Sequence, residues 1–178
     1  MALPILFNKK SGRTMNEIGI SLINAKDNIN AINFAAFLKE KRKKIIVLID
    51  KDSSDNKVLK PDKLRKKLGF IQDKDYFLNG KYKEFEDEFP IEIWIKMLNI
   101  YFKKTDETEW TAVDINYNHN KDKLSDLLLE RVRNLSNSEI KVTKPNLNYY
   151  LAKIINKDEI PLNITNFINE LILRLEKI

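Results

Sequence analysis

Apolar positions along the chain come in two patterns, short unbroken runs and longer stretches spaced at helical intervals. Their order gives a first outline of the fold. Ile45-Ile46-Val47-Leu48-Ile49 is an unbroken run rich in β-branched residues, stopped by Asp50-Lys51-Asp52. Such a run reads as a strand buried on both faces, as in a parallel sheet covered by helices. Upstream, Ile18 to Asn24 predicts a short strand. Ala31, Phe34, Ala35 and Leu38 then recur at i, i+3, i+4 and i+7, which predicts a helix capped by Asp27 or Asn28. Strand, helix and strand in this order predict a βαβ unit with parallel strands. Ala2 to Phe7 is apolar with neither a preceding strand nor a capping residue, and reads as the interior of an element.

Beyond the central run, Pro61 to Leu68 predicts a basic helix ending at Gly69, and Asp75 to Gly80 a short strand and turn. Ile91, Trp94, Ile95, Leu98 and Phe102 predict an amphipathic helix with Pro90 in its first turn. Lys104 to Asn120 lacks periodicity and reads as an irregular connection, with His119 on the surface. Three more helices follow, marked by Leu124, Leu128, Val132 and Leu135; by Leu147, Tyr150, Leu151 and Ile154; and by Ile164, Phe167, Ile168, Leu171, Ile172 and Leu175. The expected class is α/β, a mostly parallel sheet flanked by helices with a helical C-terminal part.

Composition narrows the chemistry. The 178 residues include no cysteine and one histidine, which excludes disulfide frameworks, thiolate metal sites and multi-histidine sites. A metal here must be held by oxygen, favouring magnesium, manganese or calcium over zinc. No run approaches the length of a membrane span and no basic-then-apolar leader opens the sequence, so a cytoplasmic, membrane-free protein is expected. The net charge of +6 is concentrated: Leu38 to Leu68 holds twelve Lys or Arg against five acids, a local balance of +7 that leaves the remainder at −1. Basic surface around an acidic centre suits a polyanion such as DNA, although a lysine-rich solvated surface has the same composition.

Candidate chemistry gathers at two acidic places. Asp50 and Asp52 stand at the carboxyl end of the central strand, where open α/β sheets bind ligands, and share one side of the extended chain. Glu84 to Pro90 is the second cluster, with Phe85 and Phe89 as anchors and the acids facing a helix N-terminus, where negative charge is favoured structurally as well. No GxxxxGK[ST] phosphate loop is present in the sequence.

The order Ala2-Leu3-Pro4, Gly19 to Asn24, Ile46 to Asp52, Glu86-Asp87-Glu88-Phe89-Pro90 and Lys144-Pro145 resembles the C-terminal Toprim domain of OLD-family (overcoming lysogenization defect) ATP-dependent endonucleases. The resemblance implies residues 1–103 as a Toprim-like core lacking its first strand, and residues 104–178 as a polar connection and helical part of the same domain. It implies metal-dependent phosphodiester hydrolysis in DNA, with Asp50 and Asp52 as metal ligands and Glu86, or in its place Asp87 or Glu88, as the later acid. Lys144 is implied near the scissile phosphate, and two Mg2+ or Mn2+ ions are implied in the complete domain. The family's first glutamate, its strand and its ATPase domain do not occur in this sequence, so the chain reads as a fragment with little activity of its own. Two other readings compete: a non-catalytic remnant that binds only DNA or a partner chain, and a haloacid dehalogenase-like phosphatase with Asp50 as nucleophile and Asp52 as acid/base. A homo-oligomer is a separate expectation, from the unpaired apolar sheet edge that the missing strand would leave.

Overall fold

The computed structural model describes residues 2–41, 43–55 and 69–176. It is mixed α/β, with seven α-helices and one two-stranded parallel sheet among the described residues. The chain forms two compact units, one of residues 1–14 with 86–160 and one of residues 15–85 with 161–178.

The second unit carries the sheet. Strand β1 (Val47–Asp50) runs parallel to β2 (Tyr76–Asn79), pairing Val47 with Tyr76, Leu48 with Phe77, Ile49 with Leu78 and Asp50 with Asn79. Side chains alternate across a strand, so this register assigns the two faces. Val47, Ile49, Tyr76 and Leu78 point to one side and pack with Ile32 and Ala35 of helix α2 (Asn28–Glu40) and with Phe70. On the other side Phe77 meets Phe167 edge to face, 5.4 Å between ring centres. Phe167 belongs to the C-terminal helix Leu162–Glu176. That helix runs antiparallel to the strands, since Asn163 at its start donates to the Leu78 carbonyl (2.7 Å) and Arg174 at its end reaches the strand beginnings.

Three expectations in this unit need correction. Ile18 to Asn24 is not a strand: Gly19, at φ 76°, closes a turn in which the Ile20 N–H donates to the Met15 carbonyl. The chain beyond has no regular secondary structure and no ladder partner among the described residues, leaving Leu22 and Ile23 exposed. A strand needs a neighbour to take its backbone hydrogen bonds, and apolar content alone does not supply one. The parallel crossover therefore lies one step later than expected, between β1 and β2. In α2 the expected series holds in part: Ala35 is buried, Ala31 packs on the core and Ile32 joins them, whereas Phe34 is exposed beside Phe37. This helix is apolar nearly all round, so periodicity could not select its inner face. Its cap is as expected: Asp27 accepts the Asn30 N–H at 2.7 Å. The predicted basic helix Pro61–Leu68 lies outside the described residues.

The first unit is helical. Ala2 to Phe7 leads into and forms part of helix α1 (Leu3–Ser11), with proline in its first turn and Gly12 at its C-cap. Helix α3 (Ile91–Tyr101) buries Trp94, Met97 and Leu98, and Pro90 serves as its N-cap residue, not inside the first turn. The stretch after it is mostly irregular as expected, and it is pinned by Trp110. This indole is buried and donates to the Phe102 carbonyl at 2.6 Å, while its backbone N–H donates to Asn99 Oδ1. A single helical turn, α4 (Ala112–Ile115), follows, with a capping box between Thr111 and Asp114. Helices α5 (Leu124–Leu135) and α6 (Lys144–Ile154) complete the unit, α6 capped by Thr143. The C-terminal helix of the other unit is α7 (Leu162–Glu176). No described helix is long and apolar enough to cross a membrane.

Candidate functional site

The carboxyl end of the β1–β2 pair is built by a tight return of the chain after β2. Gly80 has φ 107°, and a Cβ there would lie 2.4 Å from the Glu84 nitrogen, so only glycine lets residues 80–84 fold back this closely. The return sets two backbone contacts. The Asp52 N–H donates to the Lys83 carbonyl at 2.9 Å, and the Phe85 N–H donates to Asp50 Oδ1 at 3.3 Å. Lys51 Nζ donates to the Lys81 carbonyl at 2.9 Å, which turns that ammonium toward the loop.

Asp52 sits in a 3-10 turn (Lys51–Asp55) that leaves β1 directly. Ser53 Oγ donates to Asp52 Oδ1 at 3.4 Å and accepts from the Asn28 amide at the start of α2. Both aspartates are half-buried. Asp50 and Asn79 are paired across the ladder and so project to the same face, the one α7 covers. Asn79 is 3% exposed, and its Oδ1 has no hydrogen-bond partner among the described residues. The start of α7, marked by the Asn163 contact, lies at this end of the strands and brings the positive end of its dipole.

The other two residues singled out in the sequence belong to the first unit. Glu86 is 1% exposed, and its Oε2 lies 2.8 Å from Lys144 Nζ. Asn148, one turn along α6 from Lys144, donates to Glu86 Oε1, and the Trp94 indole N–H donates to the Glu86 carbonyl at 3.2 Å. Asp87 is buried as well, and Glu88 is half-buried. Glu86 and Lys144 thus form a pair although 58 positions apart in sequence. His119 is exposed, as expected.

Among the described residues no three His, Cys, Asp or Glu side chains are grouped so as to hold a metal ion. At the sheet edge the donor chemistry nevertheless fits one hard cation: two carboxylates and an orphaned amide oxygen, all oxygen, in a half-buried setting. Glu86 fits less well, because an ammonium already stands where a cation would neutralise it. The sequence had placed Asn79-Gly80 in a turn and drew nothing more from it. The signal that could have found Asn79 is an amide at the last position of a strand that pairs with the one ending in Asp50. No family model, curated protein or solved structure matches the chain.

Proposed function

We propose that this chain is a Toprim-like nuclease domain that hydrolyses DNA phosphodiesters in the cytoplasm, using Mg2+ or Mn2+ held by Asp50 and Asp52. The observation that supports it most is the place of these two aspartates, at the carboxyl end of a parallel strand pair and oriented by the 80–85 return. A cation held there supplies Lewis-acid stabilisation of the phosphate and a more acidic bound water. Asp50 and Asp52 hold it; the Phe85 N–H and Ser53 hydroxyl fix their carboxylates. By the family resemblance Lys144 is the candidate for neutralising phosphate charge; within its own unit its side chain, 38% exposed, pairs with Glu86. The family resemblance would instead make Glu86 a metal ligand. An ATPase domain is the proposed partner, with DNA as substrate.

One observation favours a second reading, a non-catalytic domain that binds DNA, a partner chain or a second copy. Glu86, buried and already neutralised by Lys144, has the character of a structural ion pair. Plasmid cleavage with Mg2+ or Mn2+ decides between them, comparing this chain, a chain extended upstream by a glutamate-ended strand, and the extended chain carrying Asp50→Ala. The nuclease reading expects cleavage by the extended chain and loss of about a hundredfold or more with Asp50→Ala. Salt-sensitive DNA binding with no cleavage in any arm leaves the binding domain. Hydrolysis of a small phosphate monoester, abolished by Asp50→Ala, would instead identify the phosphatase chemistry.

A further inference from the structure

We infer that Asn79 is a third oxygen ligand for the cation at this sheet edge, a role that rests on the metal reading above. The inference starts from a buried amide whose oxygen is unsatisfied. Asn79 is 3% exposed and its Oδ1 finds no donor among the described residues. Leaving a buried acceptor unpaired is costly, and folded chains avoid it unless something outside the chain pairs with it.

The surroundings of Asn79 say what that something is. Its ladder partner is Asp50, so the amide and the carboxylate stand side by side on one face. One Asp50 oxygen already accepts the Phe85 N–H. A carboxylate and an amide oxygen side by side on one face are both acceptors, and a cation beside them would give the Asn79 oxygen the partner it lacks among the described residues. Carboxylate plus neutral amide oxygen is a ligand set for a hard divalent ion, since amide oxygens commonly complete such shells without adding charge. On the same face Phe77, two residues before Asn79, packs edge to face on Phe167.

The test is Mn2+ titration by calorimetry on the intact chain, with apo thermal unfolding as a second readout. Asn79→Leu keeps the branched shape and the number of heavy atoms and removes the acceptor. It should weaken Mn2+ binding roughly tenfold or more and raise the apo Tm by about 2–4 °C, because the orphaned acceptor is gone. Asn79→Asp keeps an oxygen in place and should bind Mn2+ at least as tightly as the unaltered chain, while lowering the apo Tm. Asp50→Asn should lose most of the binding. Binding by Asn79→Leu within twofold of the unaltered chain, with Asp50→Asn defective, overturns the role of Asn79 and leaves the metal reading intact. So does weakened binding by a folded Asn79→Asp. No Mn2+ binding by the unaltered chain overturns both. If Asn79→Leu fails to fold, the Asn79→Asp result alone decides.

Discussion

The two ends of the β1–β2 pair are built on opposite principles. At the strand beginnings, Arg174 of α7 satisfies acceptors from both strands at once. Its guanidinium donates to the Ile45 carbonyl (2.7 Å), the Lys74 carbonyl (2.7 Å), Asp75 Oδ1 (3.0 Å) and Glu170 Oε1 (3.1 Å). Lys44 in turn donates to the Arg174 carbonyl at 3.1 Å. A planar fork with fixed donors suits this task, and a lysine would not span it. At the strand ends the arrangement is reversed: acceptors collect, and the Asn79 oxygen has no donor among the described residues. One end is closed by the chain itself; at the other an acceptor stays unpaired among the described residues.

That contrast can be broken at several points. The largest effect is expected from Gly80→Ala, whose Cβ would meet the Glu84 backbone at 2.4 Å. The return must then open, releasing the Lys83 and Phe85 contacts to Asp52 and Asp50. A loss of about 3 kcal/mol or more is expected in urea unfolding, with loss of Mn2+ binding. Arg174→Met should come next, at about 2–3 kcal/mol, because it takes the Arg174 donors from Asp75 Oδ1 and two carbonyls while keeping the apolar stem. It should leave Mn2+ affinity unchanged, since the closed end has no part in the site. Asp27→Ala is the mildest. Removing the cap of α2 should cost about 1 kcal/mol and weaken Mn2+ binding only slightly, through the neighbouring Asn28 contact to Ser53.

Much of the helical framework could be read from periodicity, because the helices around Trp94, Leu128, Leu151 and Phe167 each bury one clear stripe. The central strand was equally legible from its unbroken run. The segment around Leu22 was not, because whether an apolar segment becomes a strand depends on a neighbour that its own sequence does not encode. The inner face of α2 was legible only in part, Ala35 being read and Ile32 missed, because this helix is apolar nearly all round. At the candidate site, Asp50 and Asp52 could be read because acids at a strand end are conspicuous. Asn79 was hidden: its meaning lies in its pairing with Asp50, and register is a tertiary property. The Lys144 pair with Glu86 was hidden in the same way. Each residue had been noticed, but their contact comes from α6 docking within its unit.

The central claim is that the open end of the sheet holds a divalent cation and the closed end does not depend on one. Thermal unfolding with and without saturating Mn2+ tests it most directly, using the unaltered chain, Arg174→Met and Asp50→Asn. A ligand that binds only the folded state raises Tm in proportion to its binding free energy. The account predicts that Mn2+ raises Tm by the same few degrees in the unaltered chain and in Arg174→Met, from different starting values, and leaves Asp50→Asn unmoved. An equal rise in Asp50→Asn, or no rise in the unaltered chain, would contradict it.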